Sequence, residues 1–228
     1  MIVAISQPTL YPWIGYFDII NKSDTFVFLD NAQLNRKSWQ TRNKIKNPTL
    51  TGDAEIWLNI PVKKSDLSTT INEASIDNTK NWGKKHLAAL KASYGKNVNE
   101  IEWLEELFTV KWESLAAFNI EFIKKCCEYL DISTNFLLSS EIEVKGVRTQ
   151  WLVDICKKLD ADVYLTTSGA KDMYLEKESH IFEEENISIQ YHDYVHPEYN
   201  QRGDNFVSHL SILDLILNLK TDAKKIFK

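Results

Sequence analysis

IVAISQPTLYPWIGYFDIINKSDTFVFLDNAQ, residues 2–33, decides the fold. The apolar run Ile2 to Ile5 stops at a proline-broken, polar and aromatic turn, Gln7 to Tyr16. A helix-like stretch follows. A second apolar run, Phe26-Val27-Phe28-Leu29, ends directly on Asp30-Asn31-Ala32-Gln33. Two strands that both run out into amides, a carboxylate and aromatics point to a ligand site at the carboxyl ends of a parallel sheet.

Working outward, Trp57 to Val62 reads as a short strand stopped by Pro61, and Ile71 to Ile76 as a weak one inside a polar excursion. Residues 81–130 carry helical apolar spacing, with Trp82, His86, Ala89 and Leu90 first. Strands are expected at 134–144, at Val163-Tyr164-Leu165 and at Ile187 to Tyr191. Amphipathic helices are expected over Thr149–Leu159 and Ser211–Leu219, the latter capped by Ser208 or Ser211. The alternation predicts an α/β fold: a mainly parallel sheet flanked by helices in three layers, with a helical insert. The expected division is an N-terminal α/β half at 1–80, the insert at 81–130 and a C-terminal α/β half at 131–228, all in one compact unit.

Composition narrows the function classes. A net charge of -5 argues against a general nucleic-acid partner. No apolar stretch approaches the ~20 residues of a membrane span. The N-terminus reads as a strand rather than an export signal, so a cytoplasmic location is expected. Cys126, Cys127 and Cys156 are odd in number and form no CxxC, which argues for buried free thiols and against disulfides or a zinc site. Neither a bound cofactor nor a metal site is expected.

Four constellations carry candidate chemistry. In the first turn, Gly15 suits close approach of backbone or ligand, Trp13 and Tyr16 could stack on a flat ligand, and Gln7 could bond a hydroxyl or amide. The packing alternative makes Trp13, Tyr16 and Phe17 anchors of the first helix. Next, Asp30 stands at a strand end as a base or orienting group. It precedes Gln33, Arg36, Trp39, Arg42 and Asn43, whose arginines suit bidentate grip of an anion; the alternative there is a solvated basic loop. The third, Thr166-Thr167-Ser168-Gly169-Ala170-Lys171-Asp172, places Ser168, Gly169 and Lys171 at a strand-to-helix turn, as an anion cradle or simply a helix cap. Finally, His196 leads into Pro197, Glu198, Tyr199 and Gln201, and is the leading acid–base candidate, against a purely structural histidine. His180 and His192 show nothing comparable. Walker, GxGxxG, HExxH and GxSxG motifs are absent.

The stretch QPTLYPWIGYFDIINKSDTFVFLDNAQLNRKSWQTRNKI at 7–45 resembles the signature of the WbqC-like family. So do Pro61-Val62, YLTTSGAKDMYL at 164–175, HPEYNQ at 196–201 and LSILDLILN at 210–218. The order Thr9-Leu10-Tyr11 departs slightly from the family's aromatic-leucine order, and Thr41 replaces a common Asn. The resemblance implies a bacterial protein of surface-polysaccharide (O-antigen, lipopolysaccharide) biosynthesis and a link to acyl transfer onto an amino sugar. It carries over no catalytic residue. More distantly, Trp13-Ile14-Gly15-Tyr16 falls where nucleotidylyltransferases and pantothenate synthetases carry HxGH, and Gly169-Ala170-Lys171-Asp172 is similar to the latter's GxKD. Both histidines are aromatics here, which counts against adenylyl transfer while leaving a HIGH-type fold as the expectation.

The expected function is therefore N-acyl transfer, glycyl or another aminoacyl group included, onto a nucleotide-linked amino sugar. The donor would be a coenzyme A thioester or an acyl or peptidyl carrier protein. His196 or Asp30 would be the base. Arg36 and Arg42 would hold phosphate, and the Gly15 or Gly169 turn would hold the oxyanion. The alternatives are an ATP- and magnesium-dependent adenylating ligase or nucleotidylyltransferase, and a non-catalytic binding protein.

Overall fold

In chain order the elements are β1 (Ile2–Ser6), α1 (Ile14–Asn21), β2 (Thr25–Phe28), β3 (Arg42–Lys46), β4 (Glu55–Asn59), α2 (Trp82–Tyr94), α3 (Glu102–Thr109) and α4 (Leu115–Tyr129). Then come β5 (Asn135–Leu138), α5 (Thr149–Lys158), β6 (Val163–Thr167), α6 (Ser168–Ala170), α7 (Glu176–Glu178), α8 (His180–Glu183), β7 (Ser188–His192) and α9 (Ile212–Leu219). The structure, a computed structural model, describes residues 1–47, 54–171, 175–203 and 205–228.

Contacts group the chain into two compact units, each made of three stretches. Met1–Gln7, Gly15–Asn31 and Ser133–Val195 form the first; Pro8–Ile14, Ala32–Ile132 and His196–Lys228 form the second. The chain leaves the first unit after β1 and again after β2.

The first unit holds a five-stranded, all-parallel sheet in the order β5-β2-β1-β6-β7. The fold is α/β, as the alternation predicts. β2 is buried at all four positions, as a strand covered on both faces must be. Val3, Ile5, Val27 and Tyr164 share one face and pack with Val153 and Cys156 of α5 and Phe182 of α8. On the opposite face Phe26 meets Tyr16 of α1, ring centroids 5.4 Å apart. Strand order runs outward from β1 through β2 to β5, then resumes on the other side with β6 and β7. The reversal lies between β1 and β6, where open α/β sheets bind ligands at their carboxyl ends.

In the second unit β3 pairs antiparallel with β4, Lys44 opposite Trp57. Residues 42–46 therefore form a strand, not the basic loop that their charge suggests. The sequence RNKIK hides its alternation because an inward position is the polar Asn43, whose amide donates to the carbonyls of Leu10 (3.0 Å) and Tyr11 (2.8 Å). β4 begins and ends earlier than Trp57–Val62, since Pro61 offers no N–H to a ladder. The expected strand at 71–76 is instead a turn with isolated bridges, Val62 to Ile76 and Ser75 to Ser114. The core centres on Tyr11, fully buried at φ 46°, with the rings of Phe108, Phe118 and Phe122 edge-on around it at 4.9–6.1 Å. α2 approaches α3 so closely at Gly83 that a Cβ there would stand 2.4 Å from the Phe108 carbonyl oxygen. Ser211, not Ser208, caps α9, its hydroxyl accepting from Leu213 N at 3.2 Å.

The three cysteines are buried and unpaired, as expected. Burial raises all three thiol pKa values, that of Cys156 to about 12. Among the described residues no helix is long and apolar enough to cross a membrane.

Candidate functional site

At the carboxyl edge of the parallel sheet, β1 is followed by half-buried Gln7, and β6 ends at exposed Thr167, followed by exposed Ser168 and Gly169. Tyr16 is turned inward: it is 8% exposed, and its hydroxyl donates to the Gln7 carbonyl at 2.9 Å. It ties α1 to the end of β1 and offers no open stacking face. Gly15, the second residue of α1, is also buried. Gly169 has room for a side chain, its nearest neighbour being Thr167 Oγ1 at 4.0 Å. Lys171 lies 5.8 Å from the Tyr191 ring centroid. Asp172, which completes the sequence motif, lies outside the described residues.

Asp30, at the end of β2, is 3% exposed and well bonded. Its Oδ1 accepts from Ser139 Oγ (3.1 Å) and Ser140 N (3.0 Å), its Oδ2 from Ser140 Oγ (2.7 Å). A carboxylate holding three donors from the turn after β5 clamps two strand ends together. Both its oxygens are engaged by that turn.

At the end of β7, His192 Nε2 meets Asp18 Oδ2 of α1 at 2.5 Å. His192 is buried, and Asp18 also accepts from Lys22 Nζ at 2.6 Å. Burial alone would raise the Asp18 pKa, but the His192 and Lys22 bonds outweigh it and hold the carboxyl below its ordinary range. Ser168 Oγ donates to the His192 carbonyl at 3.0 Å, fixing this strand end beside the β6 turn. His192 Nδ1 has no hydrogen-bond partner among the described residues. An imidazole oriented by an ionised carboxylate, with its other nitrogen unbonded among the described residues, is the arrangement a proton acceptor needs. The sequence reading missed both residues. The usable signal was Asp18 itself, a half-buried acid inside the otherwise apolar helix IGYFDII.

The second unit holds the remaining predicted residues. His196 stacks on Trp13, centroids 6.3 Å apart and planes within 9°, and His209 lies 4.7 Å from His196. His196 Nε2 accepts from the His209 amide (3.1 Å), so Nδ1 carries the proton and donates to Pro197 O (2.9 Å). Burial first, then His209, lowers its pKa despite the Pro197 bond. Both nitrogens thus brace the 196–209 loop, and no lone pair is left for a base. Tyr199 and Gln201 bond Asp214 Oδ2 at 2.8 and 2.7 Å, while Tyr94 bonds Oδ1 at 2.8 Å. Gln33 donates to Leu67 O (2.7 Å), and Arg36 to Ser65 O (2.9 Å) and Ser65 Oγ (2.7 Å). Arg42 lies over Trp57 at 4.5 Å, and exposed Trp39 leans on the same ring at 5.6 Å. The two arginines are occupied separately, one by a loop and one by an indole.

His86 bridges this unit's core, with Nδ1 at 2.8 Å from Tyr11 Oη and Nε2 at 3.0 Å from Asn59 O. Burial lowers its pKa from 6.5 to about 4. Because the unfolded chain binds the proton more readily, this group's contribution is complete above pH 6.5 and is lost as pH falls toward 4. The expected loss is about 3 kcal/mol across that window. Urea titrations at pH 7 and pH 4 on the natural chain and on His86→Gln measure it, the variant showing the flatter dependence.

Among the described residues no group of three or more His, Cys, Asp or Glu is placed to hold a metal ion. A model of the WbqC-like protein family matches residues 7–226. The chain belongs to the WbqC-like family. It is 31% identical over 227 residues to an uncharacterized protein, Rv1507c, of Mycobacterium tuberculosis, covering 97% of this chain and 95% of the relative. No solved structure matches the chain. The WbqC-like signature at 7–45 and 196–218 corresponds to the turn around Tyr11, the Asn43 bonds and the Asp214 network. Much of it is thus architecture.

Proposed function

We propose that this protein N-acylates the amine of a nucleotide-linked amino sugar, using a thioester of coenzyme A or of a carrier protein, in bacterial surface-polysaccharide synthesis. The observation that carries the reading is the Asp18–His192 pair at the carboxyl edge of the parallel sheet, beside the exposed Thr167–Ser168–Gly169 turn. The acceptor amine attacks the thioester carbonyl, a C–N bond forms, and the C–S bond breaks. His192 Nδ1 takes the amine proton and passes it to the leaving thiolate, while Asp18 stabilises the transient imidazolium. The setting and acceptor class rest on the family resemblance; the choice of His192 over His196 and Asp30 rests on which lone pairs are uncommitted.

The test is a mass-spectrometric screen of amino-sugar nucleotides against acyl and aminoacyl thioesters. An acylated sugar nucleotide formed at a rate proportional to enzyme supports the proposal; binding of both substrates without product overturns it. A second reading, an adenylating ligase, is favoured by the strand order, since reversal between β1 and β6 is where such sheets hold nucleotides. Amino-acid-dependent exchange of pyrophosphate into ATP would select it.

A further inference from the structure

Between β4 and α2, wholly within the second unit, lies a groove of about 570 Å³. Its size and mostly apolar lining are those of a small-molecule site. Trp57 forms part of one wall, Pro61 and Trp82 add apolar surface, and Lys80 and Lys85 are the charged residues lining it. No acidic side chain is among the described lining residues, although Asp77 lies close enough to Lys80 to feel its charge. His86 also lines the groove, but Tyr11 and Asn59 already engage both its nitrogens.

Trp57 is the unusual element. It is 43% exposed on a strand whose neighbour Leu58 is buried, so the indole is presented outward by the strand's alternation. Across the ladder Lys44 places its ammonium 5.1 Å from the ring, and Arg42 sits at 4.5 Å. Lys44 is neutralised by Glu55, whereas Lys80 and Lys85 form no ion pair among the described residues. An outward indole, flanked by Arg42 and Trp39, in a groove with two lysines that form no ion pair among the described residues combines an aromatic surface with anion attraction.

We infer that this groove binds a nucleoside diphosphate group, the base against Trp57 and the phosphates toward Lys80 and Lys85. Two carriers share that chemistry: a nucleotide sugar, and coenzyme A through its adenosine diphosphate end. The inference stands on the second unit alone; a failure of acyl transfer leaves it intact.

Titration calorimetry on the full chain tests it, with ADP, UDP, coenzyme A, UDP-N-acetylglucosamine and inorganic pyrophosphate as probes. The expected result is binding of at least one nucleoside diphosphate, weakened roughly tenfold by Trp57→Ala and again roughly tenfold by Lys80→Ala with Lys85→Ala. Affinity should also fall with added salt. The three side chains are on the surface, and an unchanged Tm shows that the variants are folded. A preference for coenzyme A over UDP-N-acetylglucosamine assigns the groove to a donor, the reverse to an acceptor. Absence of binding at millimolar concentration overturns the inference. So does binding that all three substitutions leave unchanged, and so does equal affinity for pyrophosphate alone.

Discussion

Asp214→Ala is expected to destabilise the protein by about 3–5 kcal/mol. The carboxylate is fully buried on α9 and accepts from Tyr94, Tyr199 and Gln201. Removing it takes the acceptor from the buried Tyr94 phenol and from half-buried Tyr199 and Gln201, and a buried donor left without its acceptor costs about 1–3 kcal/mol. Lys46, whose Nζ donates to Gln201 Oε1 at 3.3 Å, loses its nearby counter-charge as well. Asp214→Asn keeps the volume, but its NH2 would face donors instead of offering them a lone pair, so a partial loss is expected. Burial raises the Asp214 pKa above its ordinary value, which places the cost of ionising it on the neutral-pH side. The penalty relaxes as pH falls, opposite in sign to His86. Calorimetric melting should show a drop of roughly 10 °C for the alanine variant. The exposed Asp222→Ala serves as control, with a change within about 0.5 kcal/mol.

His192→Gln is expected to lower kcat of the proposed transfer by about 10²- to 10⁴-fold, the usual worth of a positioned acid–base group. Asp18→Asn should act in the same direction through orientation of the ring. A structural role for His192 would lower Tm and leave the pH dependence of the residual activity unchanged. Loss of the acidic limb of the kcat/KM profile in the glutamine variant is what a proton acceptor predicts. His196→Gln gives the contrast, because the imidazole there accepts the His209 amide and donates to Pro197. That variant should loosen the 196–209 loop and keep the acidic limb. If it, and not His192→Gln, removes the limb, His196 and not His192 is the proton acceptor.

The parallel sheet was legible because its strands are apolar runs bounded by prolines, amides and acids; β1, β2, β6 and β7 fall where those runs lie. β3 was illegible for a physical reason: one inward position is Asn43, which bonds the backbone of the turn at Leu10 and Tyr11 rather than packing apolar surface. Periodicity detects burial by apolarity, and this strand is partly buried by hydrogen bonding. The same distinction explains the candidate site. Asp30, Asn43, His196, Tyr199 and Gln201 are polar residues at element ends, and sequence gives no means of separating those that reach a ligand from those that complete a turn. In the structure each of the five has polar atoms engaged by neighbouring chain. His192 went unnoticed for the converse reason. Its partner Asp18 is distant in sequence, and a lone histidine closing a strand has no local signature.

Cys126, Cys127 and Cys156 are all buried, with thiols pushed well away from ionisation. Thiolate is the reactive form, so the folded chain presents almost no background to maleimides or disulfide reagents. The natural sequence is therefore a ready-made blank for labelling chemistry. One cysteine introduced on the sheet edge or beside the groove would carry a dye alone, and slow modification of the three native thiols would time the opening of the units that enclose them.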